Sequence, residues 1–235
     1  TSMLEATQLA ISVMATNTYY KFQCGAVELD VVFTAPMLIN DLDLLSTPVN
    51  YISYQVRSID GKPHKVQFYL VTTPEMAMDN VDRGYVPATV SFVSPKYGES
   101  FLKCGTVAQP ILKKKGDGVC VDWGYFYLSD TNGHLGLAPY QKAVQRILVN
   151  GKILTTTDSC VSTDASHLMA MTYMHDFGGV NAEKQSAFTL MGYDEIKDLE
   201  YFNKQYKAYW AHEGKVTIFD AFDKLKKNYQ KIMTK

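Results

Sequence analysis

The side chains with the most chemistry to offer are five histidines, four cysteines and a few short acidic runs. The histidines are His64, His134, His167, His175 and His212, and no two stand four residues apart as a helical metal pair would. His175 and Asp176 are neighbours in a strand-like run, which sends their side chains to opposite faces. They are read as surface or hydrogen-bonded histidines, and no metal or cofactor is expected. Cys24, Cys104, Cys120 and Cys160 form no CxxC pair. The first three lie in or beside strand-like runs and are expected to be small buried hydrophobes. No Gly-x-Ser-x-Gly elbow, phosphate-binding glycine loop or cysteine nucleophile signature is present. Two carboxyls flanking a scissile bond could do acid–base work. The acidic pairs Asp41/Asp43 and Asp194/Glu195, however, sit where turns or helix starts need caps. A catalytic sandwich using Asp41, Asp122 or Asp194 is one alternative, but spacing brings no two of them together. No catalytic residue is assigned.

The densest aromatic run is Asp122-Trp123-Gly124-Tyr125-Phe126-Tyr127. In a strand, Trp123, Tyr125 and Tyr127 share one face and Phe126 takes the other. The cluster reads first as an aromatic core; if Phe126 alone is core, the Trp/Tyr stripe would face solvent or a partner domain, where a sugar or peptide could stack. Trp123, Tyr125, Tyr127 and Asp122 are therefore the ligand or domain-interface candidates. Lys113-Lys114-Lys115, ahead of Gly116-Asp117-Gly118, reads as a solvated turn. Three lysines make no nucleic-acid site, and a net charge of −1 provides no field for nucleic acid or an anionic membrane.

The elements that would position these groups are mostly strands. Val27, Leu29, Val31 and Phe33 alternate with Glu28 and Asp30, and Ile52, Tyr54 and Val56 alternate with Ser53, Gln55 and Arg57. Strand patterns continue at Gln8–Met14, Thr89–Val93, Val119–Leu128 and Gln145–Val149. Asn50–Ser58 and His64–Val71 flank Ile59-Asp60-Gly61-Lys62, a tight-hairpin signal. Asn150-Gly151 gives a second such signal, joining Arg146–Val149 to Lys152–Thr157. Leu168–Phe177 and Ala187–Tyr193 read as a further pair around Gly178-Gly179. The expected fold is mostly β, an antiparallel β-sandwich with a short C-terminal helical segment.

The pattern changes after Gly192. Ile196, Leu199, Phe202 and Tyr206 recur at helical spacing within Asp194–Trp210. Thr217–Met233 predicts an amphipathic helix with the stripe Ile218, Phe222, Leu225, Tyr229 and Ile232. Its aspartates lie early and its lysines late, as the helix dipole favours. The division expected is a sandwich over 1–193 and a helical linker or tail over 194–235. The stripe would pack on the sandwich or lead towards an absent helical domain. No apolar run approaches ~20 residues, so no membrane span is expected. The Thr-Ser-Met opening, running straight into strand-like sequence, suggests a piece of a longer protein.

Val27–Val71, Gly105–Leu128 and Ala187–Trp210, in that order, resemble the glutaminase A family of bacteria and fungi. The resemblance implies a β-sandwich that precedes a large α/α helical toroid, in a glycosidase-like layout. It implies a parent activity of hydrolysing L-glutamine to L-glutamate and ammonia, in a periplasmic or extracellular protein. On this reading the chain is the non-catalytic sandwich that braces the toroid of the same polypeptide, with glutamine or a glycan as possible small ligands. The alternative is a carbohydrate-binding sandwich of a glycoside hydrolase-like enzyme.

Overall fold

The alternation in residues 27–33 and 51–57 becomes two antiparallel strands lying side by side, Val31 opposite Tyr54 and Phe33 opposite Ile52. The computed structural model describes residues 3–79, 84–95, 98–114 and 120–234. Along the chain run β1 (Thr7–Val13), β2 (Asn17–Cys24), β3 (Val27–Thr34), α1 (Leu42–Ser46), β4 (Val49–Ser58), β5 (His64–Thr72), β6 (Ala88–Val93) and β7 (Phe101–Thr106). Then come β8 (Tyr125–Ser129), β9 (His134–Pro139), α2 (Tyr140–Asn150), β10 (Ser159–Ser162), β11 (Met169–Val180) and β12 (Gln185–Asp194). The chain closes with β13 (Leu199–Tyr201), β14 (Lys204–Tyr206), α3 (Ile218–Lys227) and α4 (Tyr229–Met233).

Nine strands form one antiparallel sheet in the order β1-β2-β3-β4-β12-β8-β7-β6-β10, and β5-β11-β9 form a second. The fold is the expected β-sandwich. Between the sheets lies a core of Val31, Ile52, Tyr54, Leu102, Cys104, Phe126 and Leu128 from the large sheet, with Leu137, Met171 and Tyr173 from the small one. The Tyr54 and Tyr173 hydroxyls meet across it at 2.7 Å, and Tyr173 donates on to the Thr131 carbonyl at 2.8 Å. Two buried hydroxyls thus find partners instead of paying an unmet desolvation cost.

The large sheet carries a second core on its outer face. Tyr51, Phe101, Tyr127 and Leu190 alternate with the inner residues of their strands and pack against Ile218, Ala221, Phe222 and Leu225. The C-terminal helix therefore closes on its own sandwich. Thr217 caps it: its hydroxyl accepts from the Asp220 amide, and the Asp220 carboxylate accepts from the Thr217 amide in return. The predicted single helix is broken at Asn228, and Tyr229 of the second piece stacks on Phe188 at 3.8 Å.

Several expected connections are corrected. β4 and β5 do not form a hairpin: β4 pairs with β3 and β12, and β5 pairs with β11 in the other sheet. Gly61 does take a positive φ of 76°. The turn, however, carries the chain across the sandwich, because the edges beside β4 are already filled. β11 and β12 likewise enter opposite sheets and do not pair. Gln145–Val149 is helical, within α2, and Gly151 is that helix's left-handed cap, donating to the Ile147 carbonyl at 2.8 Å. A type I′ turn and a helix C-terminus both need a positive φ, so Asn-Gly signals either. Of Val119–Leu128, the strand begins at Tyr125, and Val119 lies outside the described residues. Residues 194–210 form no helix: the chain makes a loop, the β13–β14 hairpin and a 3-10 turn at Tyr209–Gly214.

Three energetic expectations follow from the outer core and its capped helix. Phe222 is fully buried and Phe202 is 85% exposed. Phe222→Ala should destabilise the chain by about 3–5 kcal/mol, and Phe202→Ala by less than about 0.5 kcal/mol. Thr217→Ala should cost about 1 kcal/mol by removing the cap. Urea unfolding of the three variants measures this; similar losses for both phenylalanines would remove the outer core from the account.

Candidate functional site

The aromatic stripe emerges from a loop that folds tightly against the end of β12. Gly124 adopts φ 89°, and a Cβ there would fall 2.2 Å from the Asp194 carbonyl oxygen. Gln109 clamps the same glycine, accepting from its amide at 2.6 Å and donating to its carbonyl at 3.0 Å. Trp123 is buried, and its indole N–H donates to the Lys197 carbonyl at 2.9 Å. Tyr127 is buried against Phe219 and Phe222. Tyr125 is partly buried beneath Lys103, whose ammonium sits 3.5 Å from the ring centroid. The face shared by Tyr125 and Tyr127 is the one that the chain's own C-terminal helices cover. It offers Trp123 and Tyr127 no open stacking surface.

Asp122 is buried beside this stripe. One carboxylate oxygen pairs with the Lys114 ammonium at 2.5 Å, and the same ammonium reaches Asp79 at 3.2 Å. The other oxygen has no hydrogen-bond partner among the described residues. Lys114 is thus a pairing residue and not merely part of a solvated turn, while Lys115–Gly118 of that run lie outside the described residues. Asp41 caps α1, accepting from the Leu44 amide, and Asp43 pairs with His212 at 2.8 Å. His64 and His167 pair with Asp60 and Asp164, and His175 meets the Asn132 carbonyl. Cys104 is fully buried as expected, whereas Cys24 and Cys120 are exposed: Cys24 is the last residue of β2, past the edge of the core that Tyr20 and Phe22 reach, and Cys120 lies outside any strand.

Two described carboxyls are moved towards neutrality: burial lifts Asp130, and Glu195 lies among acids near the end of β12. Burial, then the charge of Asp198 and a hydrogen bond with it, then Asp194, push the Glu195 pKa up to about 7. Asp194 and Glu195 open no helix. The Asp194 carboxylate accepts from the Ile196 amide at 3.0 Å, and Asp198 accepts from the Ala208 amide at 2.6 Å. Those bonds hold the two aspartates beside Glu195. A carboxyl of this kind can give or take a proton near pH 7. The clue in the sequence is Asp194-Glu195 with Asp198 three residues on, but spacing alone does not reveal the burial.

One concavity on the outer side of the large sheet and another beside the β13–β14 hairpin are large enough for a small ligand. The first, about 450 Å³, is lined by Tyr19, Val32, Ser53 and Tyr229 together with the Lys21–Asp30 pair. The other, about 730 Å³, lies between the β13–β14 hairpin and the 3-10 turn and gathers Lys197, Lys204, Lys207, Lys215, Tyr206 and Tyr209. No described acid pairs with these four lysines. Sequence reading missed this cleft because the segment was expected to be helical.

Glu195 generates a pH expectation. Its folded pKa is above the usual carboxylate value, so the folded state holds the extra proton between about 4.5 and about 7. Its contribution is most favourable below that window and is lost as the pH rises through it. Glu195→Gln should raise Tm at pH 8 and have a smaller effect at pH 5. An equal change at both pH values would contradict the assignment.

The chain is similar to Glutaminase A of Aspergillus oryzae (strain ATCC 42149 / RIB 40), with 24% identity over 203 residues. That match takes in 84% of this chain and 28% of the relative, so the chain spans little more than a quarter of the relative's length. Residues 16–235, from β2 to the end of the chain, match a family described as a domain of unknown function (DUF5127), and the chain belongs to that family.

Proposed function

We propose that this chain is the non-catalytic β-sandwich of a glutaminase A-like amidohydrolase, an exported protein in which it braces a larger helical domain of the same polypeptide. The observation that carries this reading is the unequal coverage: the match takes in 84% of this chain but 28% of Glutaminase A. Most of that relative therefore lies beyond the matched part. The use made of the candidate acids supports a bracing role. Asp41 caps a helix, Asp122 pairs with Lys114, and Asp194 holds a loop amide. The aromatic stripe packs inside the chain and stiffens the end of the sheet. The parent activity on this reading is hydrolysis of L-glutamine to L-glutamate and ammonia, with the active cleft in the helical domain and the sandwich walling one side.

The experiment is ammonia release from L-glutamine by this chain and by the full parent polypeptide. Release is expected from the parent and not from the chain. Turnover by the chain would overturn the bracing role, and silence from both would overturn the parent activity.

A further inference from the structure

The β13–β14 hairpin stands apart from both sheets. It pairs only with itself, and all six of its strand residues are exposed. Leu199 lies opposite Tyr206 and Tyr201 opposite Lys204, so three apolar or aromatic side chains share one face. Leu199 is 56% exposed and Tyr201 60%. At the tip, Phe202 and Asn203 both take left-handed backbone, with φ 45° and 60°. That geometry suits asparagine, but in phenylalanine it is rare. The result is an aromatic ring held out in water, in edge contact with Tyr201 at 4.5 Å. A two-stranded hairpin is marginal in water unless something covers it.

The rim of this apolar face is basic. Lys197, Lys204, Lys207 and Lys215 line the 730 Å³ cleft beside it, with Glu213 as the one acid on the lining. The cleft lining itself carries four lysines against one glutamate, while Glu200 stands on the other face of the hairpin, paired with Gln205. Aromatic residues at the centre with charge at the edge is the anatomy of a protein interface. The charge sets the partner: a surface rich in Asp and Glu meets these lysines favourably, and a basic one is rejected.

We infer that the β13–β14 hairpin and its lysine-lined cleft are the surface on which the sandwich seats an acidic, apolar-centred face of the parent polypeptide's remaining domain. This rests on the bracing role proposed above and adds where the contact is made and what chemistry it has. Phe202 and Tyr201 enter an apolar recess, and carboxylates of the partner enter the cleft. Covering the hairpin supplies the second layer that it lacks.

Hydrogen exchange on the chain and on the full parent polypeptide tests this. The amides of residues 199–206 should exchange rapidly in the chain and about tenfold or more slowly in the parent. Raising NaCl from about 0.1 M to about 1 M should reduce that protection by screening the lysine contacts. Lys204→Glu with Lys207→Glu, and separately Phe202→Ala, should reduce it in the parent and leave the chain's own Tm unchanged. Equal exchange of these amides in chain and parent would overturn the inference. If another face of the sandwich is protected instead, the bracing role stands and only this surface fails; if no face is protected, both fail. Protection unmoved by salt and by charge reversal would overturn the acidic partner.

Discussion

Where the C-terminal helices lie over it, the large sheet has no wet face, and the rest of the molecule follows from that constraint. β4, β12, β8 and β7 send alternate residues into two separate cores. Phe126 and Leu128 point to the small sheet, while Tyr125 and Tyr127 point to the C-terminal helices. Period-two alternation usually separates a buried face from a wet one. Here both phases are apolar along β8, which is the signature of a strand covered on two sides. The outer layer is therefore part of the structure and not an appendage. Without it Tyr51, Phe101, Tyr127 and Leu190 would lie open, and each such side chain carries about 1.5–3 kcal/mol of burial.

Away from the helices the same outer face turns polar, and charge takes over. Lys21 reaches Glu28 and Asp30, and Arg57 pairs with Glu28 at 2.7 Å across neighbouring strands. Hydrogen bonding from Arg57, more than from Lys21, keeps the Glu28 carboxyl below its usual range. This ladder marks the edge of the outer core, because residues opposite one another on β2, β3 and β4 change from apolar to charged within one strand length. Glu195 is the contrasting case. It is partly buried and flanked by two acids that backbone amides hold in place, so burial first and those charges second retain its proton nearly to neutrality.

Strand identity was legible because side-chain alternation is a local property. β3, β4, β5 and β6 lie where the pattern puts them, and the amphipathic stripe of α3 packs as its spacing implies. Pairing was not legible, since a turn residue reports a backbone dihedral and not a destination. Gly61 and Gly151 both have the positive φ that Asp-Gly and Asn-Gly suggest, yet one ends in a sheet crossing and the other in a helix cap. Of the candidate residues, Asp122, Trp123, Tyr125 and Tyr127 lie together as their adjacency required, but the cover of Tyr125 and Tyr127 comes from residues about a hundred positions later. The lysine cleft was hidden for a different reason. Leu199, Phe202 and Tyr206 fit a helical repeat by count, and only the left-handed pair at 202 and 203 turns that stretch into a hairpin.

The sheet crossing after β4 also bears on how quickly the chain can reach its native state. The small sheet holds no strand next to a sequence neighbour: Phe68 of β5 finds His175 of β11, and Leu137 of β9 finds Met171. Pairing β9 with β11 closes about thirty residues, Pro139 to Met169, but seating β5 closes about a hundred, Thr72 to Met171, an entropic cost that must be met before β5 docks. The β1–β2–β3–β4 meander has a far lower barrier, since each strand meets its successor, across short turns up to β3 and across the 14-residue connection holding α1 between β3 and β4. High contact order of this kind places folding in the slow, millisecond-to-second regime. It leaves the inner face of the meander bare of its cover while the distant strands are still being made, a window in which a nascent chain depends on what else is nearby.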